Sequence, residues 1–514
     1  PRVRSGRGPP RPDRTRGMTA RRAVPWRALL AAAALILGAL SLWQLERARI
    51  GIDIATIAVG DTPVTVYEEA GADGPLVVIA HGFAGSRQMM QGFALTLARA
   101  GYRVMSFDFE GHGRHPVPMS GDVDDIDGTT QLLIDQTRLV ADAGLARGQD
   151  TRPIAILGHS MATDIIIRTA IRDERIGPVI GISTRSGAVT ATEPETLLMV
   201  TGEWEPGLRA WARDALAMVD PTAGEGATAQ AGPVQRRAVV APGVEHVAIL
   251  HSQTAEAAAL AWLDAFYGRQ SAGQTAAMGP WILLLLASIV ALAWPLAHLL
   301  PERTVDRPAI PHRRFAIAVL VPAIVTPLVA VPLDPGILPV LVADYLALHL
   351  LIYGALQLVL LRRFGVPWGH FSALAVVALL VWGLGVFGFA LDRYAANFWP
   401  VGARWWIIAA LALGAIPFMV ADAFVTQGGR APLSHRIGAR AGFLASLGFA
   451  VALDFWGLFF LLMIAPVILL FYVVFGLMGR WVARRGGALS AGIAQGLILA
   501  WAIGVSFPLF VAGG

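Results

Sequence analysis

Two hydrophobic patterns alternate along the chain. From Ile54 to about Gly268, short runs rich in β-branched residues are separated by stretches whose apolar positions recur at helical spacing. The runs predict strands over Ile54–Val59, Val64–Glu69, Leu76–Ala80, Arg103–Phe107, Ile154–Leu157, Val179–Ile182, Leu197–Thr201 and Ala238–Ala241. Helices are predicted over Gln88–Ala100, Thr130–Ala146, Thr163–Arg172, Leu208–Met218 and Ala255–Phe266. Two neighbouring strands followed by strand–helix alternation predict an α/β architecture: a mixed, mostly parallel sheet with helices on both faces.

On both sides of this segment the pattern becomes nearly continuous apolar sequence. Ala28–Leu45 follows Arg21, Arg22 and Arg27. It is long, and no small-residue cleavage site precedes Glu46, so it predicts an uncleaved anchor rather than a signal peptide. From Gly279 onward, eight apolar spans predict an all-α transmembrane helical bundle: Trp281–Leu300, Phe315–Val331, Ile337–Leu361, Phe371–Leu391, Trp405–Phe424, Ala441–Leu453, Leu458–Met478 and Leu489–Val511. The sixth is short. No sequence repeat relates them, which gives no support to an inverted-repeat transporter. The expected organisation is a disordered Arg-rich N-terminus (1–27, of which 1–17 precede Met18 and read as an upstream extension), an anchor (28–45), an α/β domain (46–268), a polar linker (269–278) and a membrane domain of about eight helices (279–514).

Charge refines this picture. Residues 1–45 carry nine Arg against Asp13, residues 46–278 carry 18 Arg against 28 Asp and Glu, and residues 279–514 carry 14 Arg against seven. The formal net charge of +5 thus hides a mildly acidic middle between two basic flanks, and the basicity gives no argument for nucleic acid. Twelve of the last 14 arginines fall in alternate loops; only Arg393 and Arg404 fall in the opposite set. With the Arg-rich N-terminus inside, the positive-inside rule puts the α/β domain outside the cytoplasm, in a bacterial inner membrane protein with a periplasmic domain. Trp281, Trp399, Trp405, Trp406 and Trp456 then lie near outer ends, as an aromatic belt requires. The chain has no Cys, which excludes disulfides and thiolate metal sites, and every basic residue apart from His is Arg.

The chemistry-bearing motifs lie at strand ends. Gly158-His159-Ser160-Met161-Ala162 follows one predicted strand and precedes a helix. Small residues around a Ser at such a turn let its hydroxyl project from the sheet with a helix N-terminus behind it: a nucleophile elbow. His81-Gly82-Phe83-Ala84-Gly85-Ser86 follows Leu76–Ala80 and suits an oxyanion loop, with the backbone N–H groups of Phe83 and Met161 as donors and His81 structural. A Ser hydroxyl needs a base and the base an orienting carboxylate. His246 follows the last strand; His251 is the alternative base and is expected to face solvent. After Leu197–Thr201 the chain offers Glu203 and Glu205.

In chain order Ser, acid, His, residues 54–268 resemble the α/β-hydrolase superfamily. In that family the acid commonly sits three residues after a strand-end Gly, with Pro next, which here is Glu205; most members have Asp there. Asp108-Phe109-Glu110-Gly111-His112-Gly113 resembles the family's D-x-x-G-x-G turn. It is read as structural, with Asp108 fixing the loop; His112 falls near the pocket mouth, where contact with substrate is the alternative to a structural role. Pro116–Gly128 reads as a mobile flap, and the short stretch between Ile182 and Glu195 leaves no room for a large cap, so the site is expected to be open. The resemblance implies a Ser160–Glu205–His246 triad, no metal or other cofactor, and an esterase-like reaction on an acyl-ester or lipid-like substrate beside membrane lipids. Acyl transfer to a lipid or envelope acceptor is the alternative enzyme, and a transporter or sensor with a ligand-binding hydrolase-like domain the non-enzymatic one. Asp344, His349 and Asp422 are ionisable residues inside predicted spans, candidates for a role in the membrane or for helix–helix hydrogen bonds.

Overall fold

The computed structural model describes residues 26–122, 125–148, 151–302 and 309–511; the predicted disordered N-terminal stretch up to residue 25 lies outside them. Helix α1 (Trp26–Arg47) leads into a nine-stranded sheet. Its strands are β1 (Ile52–Val59), β2 (Thr62–Glu69), β3 (Leu76–Ala80), β4 (Arg103–Phe107), β5 (Ile154–His159), β6 (Ile176–Ile182), β7 (Thr196–Gly202), β8 (Thr228–Ala231) and β9 (Val234–Ala241). The spatial order is β1-β2-β4-β3-β5-β6-β7-β9-β8. β4, β3, β5, β6, β7 and β9 run parallel in the middle, and β1, β2 and β8 pair antiparallel at the two edges. The central strands are apolar on both faces because helices cover both: every residue of β3, β4 and β5 is buried. The covering helices are α2 (Gln91–Ala98), α3 (Gln131–Gly148), α4 (Met161–Arg172), α5 (Pro206–Ala217) and α6 (Gln253–Tyr267). α4 shows how: Ala162, Ile165, Ile166 and Thr169 are buried at the i, i+3, i+4, i+7 spacing of one face.

Register fixes the site. Ala80 pairs with Phe107 and Gly158, His159 with Ile182, Ile182 with Val200, and Gly202 with Ala241. The carboxyl ends of β3 to β7 and of β9 are therefore level, and their loops converge on one edge, where open α/β sheets bind ligands. β8 was not among the predicted strands. Its sequence, Thr-Ala-Gln-Ala, has little strand propensity, and it forms only by turning back on β9 through Gly232 and Pro233.

The remaining helices are α7 (Gly279–Ala297), α8 (His312–Ala330), α9 (Ala343–Arg363), α10 (Ala373–Leu380) continuing through a wider turn into α11 (Gly388–Tyr394), α12 (Arg404–Val425), α13 (Leu433–Leu453), the short α14 (Phe455–Leu458), α15 (Phe460–Gly486) and α16 (Ala488–Ser506). Among the described residues, nine helical segments are long and apolar enough to cross a membrane: α1 and eight that follow the sheet. The sixth of those eight, expected to be short, is α13, which begins at Leu433 and has 21 residues. The third, expected from Ile337, begins only at Ala343, after a loop containing Pro335, Gly336 and Pro339. α12 and α16 are the most buried of the nine and form the centre of the helical part. There, a Cβ on Gly492 or Gly496 would lie 2.6 Å from the Val420 Cα or 2.5 Å from the Ile416 Cα, so this small-xxx-small stripe is what lets the two backbones touch.

The sheet-bearing part is fastened to the helices. Arg114 pairs with Asp392 at 2.6 Å and donates to Asn397 Oδ1 at 3.0 Å. The Asn397 backbone N–H donates to Ser86 Oγ at 3.0 Å. The buried Arg404 guanidinium donates to the Gly111 carbonyl at 2.9 Å and to the Phe507 carbonyl at 2.7 Å. Beyond α16, Phe507–Val511 forms a strap: Leu509 N donates to Gly111 O at 2.8 Å, Met119 N to Leu509 O at 2.8 Å, and Phe510 N to Pro339 O at 2.8 Å. The Pro116–Gly128 stretch, expected to be a mobile flap, is thus pinned at Met119.

Candidate active site

Ser160 sits at the sharp turn between β5 and α4 with φ 54° and ψ −118°, a left-handed conformation that a β-carbon-bearing residue holds only under constraint. Its N–H donates to Ile182 O at 2.9 Å. His246, beyond β9, places Nε2 2.7 Å from Ser160 Oγ, and its Nδ1 lies 2.5 Å from Glu205 Oε1. The carboxylate puts the imidazole proton on Nδ1 and leaves Nε2 free to accept the Ser hydroxyl. The structure therefore brings Ser160, Glu205 and His246 into one hydrogen-bonded chain. Glu203 is elsewhere: its carboxylate accepts from Gly243 N at 2.7 Å.

Glu205 is held from two further sides. Its Oε2 accepts from Gly202 N at 2.6 Å and from Ser183 Oγ at 2.9 Å. Burial pushes its pKa up, but the hydrogen bonds from His246, Gly202 and Ser183 outweigh that and hold it below the usual carboxylate range. Sequence reasoning missed Ser183, which stands just past β6 with φ 54°. It also missed a role for His159, whose Nε2–H donates to the His246 carbonyl at 2.8 Å and so fixes the loop carrying the base. Burial, with His246 nearby, lowers the His159 pKa to about 4, so the ring is neutral at pH 7.

The loop after β3 faces this chain. A Cβ on Gly82 would lie 2.8 Å from His159 Nδ1 and 3.0 Å from Ser160 Cβ, so only glycine lets the loop come so close. Of the expected oxyanion donors, Phe83 follows Gly82 in this loop and Met161 follows Ser160 at the start of α4, and among the described residues neither N–H has a backbone acceptor outside helices and strands. His81 is buried; its Nδ1–H donates to Gly82 O at 2.8 Å and its Nε2 accepts from Phe109 N at 3.1 Å, so it ties the loop to the turn after β4. Burial lowers its pKa and keeps it neutral. Asp108 fixes the same turn by accepting from the backbone N–H of Arg87 at 2.8 Å and of Arg114 at 3.0 Å, and by pairing with the Arg87 guanidinium. His112 is buried, edge-on to Phe83 with ring centroids 5.5 Å apart, and its Nε2 has no partner among the described residues. His251 does not face solvent as expected; it packs on Gly279 at the start of α7 with its Nδ1 buried.

The expected open site has a wall built by the helical part. Phe83 meets Phe460 edge-on at 5.2 Å between ring centroids and Phe510 at 6.3 Å. Two of the ionisable residues in predicted spans take structural places. Asp344 lies in the first turn of α9, where it accepts from Leu338 N at 2.6 Å and organises a loop. His349 joins helices by hydrogen bonds with Tyr345 Oη at 2.7 Å and Ser446 Oγ at 3.1 Å.

Residues 73–225 match the family model described as serine aminopeptidase, S33. No curated protein matches the chain. Among solved structures, a predicted CIB-like hydrolase from Thermoplasma acidophilum is 15% identical, covering 42% of this chain and 98% of its own, with a TM-score of 0.31. A dienelactone hydrolase from Anabaena variabilis is 19% identical (41% and 94%, TM-score 0.30). A soluble variant of monoglyceride lipase from Saccharomyces cerevisiae is 13% identical (42% and 95%, TM-score 0.30). The nine-stranded sheet and its flanking helices form an α/β-hydrolase domain, fused to helices long and apolar enough to cross a membrane.

Proposed function

We propose that the chain is a membrane-bound serine hydrolase that cleaves an ester-type bond of a lipid-like substrate through an acyl-enzyme. The observation that carries this reading is the Ser160–His246–Glu205 hydrogen-bonded chain at a strained strand–helix turn. His246 Nε2 takes the proton as Ser160 Oγ attacks the acyl carbon. The backbone N–H groups of Phe83 and Met161 stabilise the oxyanion. His246, now protonated and held by Glu205, gives its proton to the leaving alcohol. Water activated by the same base then releases the acid and restores Ser160.

The aromatic wall of Phe83, Phe460 and Phe510 supports an apolar acyl chain. Phe459, Leu462 and Met463, beside Phe460, are exposed as lipid-facing residues would be. The test is hydrolysis by the purified full chain of esters of one alcohol with acyl groups from acetyl to palmitoyl, following free acid. Turnover is expected to rise with chain length. Preference for acetyl would overturn the lipid-like substrate, and no release of acid from any ester would overturn hydrolysis itself.

The positive-inside pattern supports an extracytoplasmic active site in a bacterial inner membrane. Short tethers on both sides, Arg47 to Ile52 and Tyr267 to Gly279, support a hydrolase domain held against the membrane. Alkaline phosphatase joined after Phe266 is expected to be active in cells and one joined after Arg314 silent; the opposite pattern would overturn this orientation and leave the triad untouched.

A further inference from the structure

α12, α13, α15 and α16 enclose a cavity of about 80 Å³ at the end of the helical part remote from the sheet. Arg404, the first residue of α12, reaches Gly111 of the hydrolase domain, whereas Asp422 at the cavity lies 18 residues further along the same helix, about 27 Å away at 1.5 Å per residue. The cavity is thus separate from the Ser160 site by nearly the thickness of a bilayer core.

Three guanidinium groups line it: Arg436 and Arg440 of α13 and Arg480 of α15. Arg440 has a carboxylate, Asp422 Oδ2 at 3.5 Å, and stacks on the Tyr472 ring with Cζ 4.7 Å from its centroid. Arg436 and Arg480 have no carboxylate within ion-pair distance among the described residues. The Nε atoms of all three arginines and the Tyr472 hydroxyl are buried without a partner, and Tyr472 itself is only 7% exposed. The walls therefore hold three cations against one carboxylate, with four donors that have nothing to donate to. Buried donors left unpaired are costly, and uncompensated charge beside apolar helices more so. Water would satisfy the donors but leave the charge; an oxyanion satisfies both. Guanidinium forks match the oxygen spacing of a phosphate, and the volume is several times what one water needs.

We propose that this cavity is a phosphate-binding site, taking either the phosphate of a lipid headgroup or inorganic phosphate. The arrangement gives Asp422 a positioning role, holding Arg440 against Tyr472 and away from the other two cations.

The test uses the full chain in detergent. Thermal unfolding is followed while inorganic phosphate is titrated against chloride at equal ionic strength, and native mass spectrometry reads lipid retained after reconstitution in phosphatidylglycerol or in a phosphate-free galactolipid. The variants are Arg436→Gln with Arg480→Gln, the milder Tyr472→Phe, and Arg313→Gln, an exposed arginine at the start of α8, as control. The double variant is expected to weaken phosphate or phospholipid binding at least roughly tenfold, with Tyr472→Phe intermediate and the control unchanged. Phosphate stabilisation without phospholipid retention identifies a soluble anion as the ligand; selective phospholipid retention identifies a headgroup. If neither ligand separates the wild type from Tyr472→Phe or from a folded double variant, the proposal is overturned.

Discussion

Ser160→Ala is expected to abolish covalent labelling by a fluorophosphonate and to lower ester turnover by roughly 10⁶-fold, while expression and membrane insertion stay normal. The fold should survive because the substitution keeps Cβ, and the turn is held by backbone: Ser160 N to Ile182 O at 2.9 Å and Thr163 N to Ser160 O at 2.9 Å. What is lost is Oγ, the only atom of this residue that reaches His246. Ser183 is the instructive alternative. It lies at the same sheet edge, but its hydroxyl donates to Glu205 rather than to a base. Labelling that persists in the Ser160→Ala protein, at Ser183 or any other Ser, would sink the assignment.

Glu205→Gln is expected to cost about 10⁴-fold in turnover with little loss of structure, the magnitude seen when a triad acid is replaced by its amide elsewhere. Glu205 accepts from three donors: Gly202 N and Ser183 Oγ on one oxygen, His246 Nδ1 on the other. An amide has one acceptor end. The two donors on the Oε2 side claim it, so the NH₂ faces His246. The imidazole must then carry its proton on Nε2, and Ser160 loses its base. Glu203→Gln should change turnover by no more than about twofold, since its contact with Gly243 N survives through the amide oxygen. Reversal of the two effects would show that the acid is misassigned. A pH series adds an independent readout. The Glu205 pKa is lowered on folding, so its contribution to stability is present above the unfolded-state pKa of about 4.3 and is lost as pH falls through the lower folded value. The Gln variant lacks that contribution and should lose less stability on acidification.

The elements easiest to read in the sequence were those where one local signal suffices. The parallel strands β3 and β5 announce themselves as apolar runs, Leu76–Ala80 and Ile154–Gly158, and the elbow by small residues around a Ser between strand and helix. β8 carries no such signal, because its pairing is supplied by β9. α13 was read as beginning eight residues late because its first two turns carry Arg436 and Arg440, which point into a polar cavity and interrupt the apolar run. Choosing between Glu203 and Glu205 needed a resemblance as well as the chain order, since both follow β7 within three residues. Ser183 and His159 could not be read at all. Their contacts depend on β5, β6 and β7 being level, with Ile182 opposite both His159 and Val200, and register across parallel strands leaves no mark in any one of them. The aromatic wall was equally hidden, since Phe83, Phe460 and Phe510 meet only through the docking of the two parts.

The strap has a temporal side. Every group of the Ser160 chain is translated by His246, but the segment that pins Met119 and sets Phe510 beside Phe83 emerges only after all eight spans that follow the sheet, roughly 10–50 s later at the ordinary pace of synthesis. During that interval a nascent chain owns the hydrogen-bonded Ser160, His246 and Glu205 but lacks the surface that Phe510 completes beside Phe83. A chain truncated within the last helices would carry the Ser160 chain with an unfinished wall, so completion of the helical part and completion of that wall are the same event.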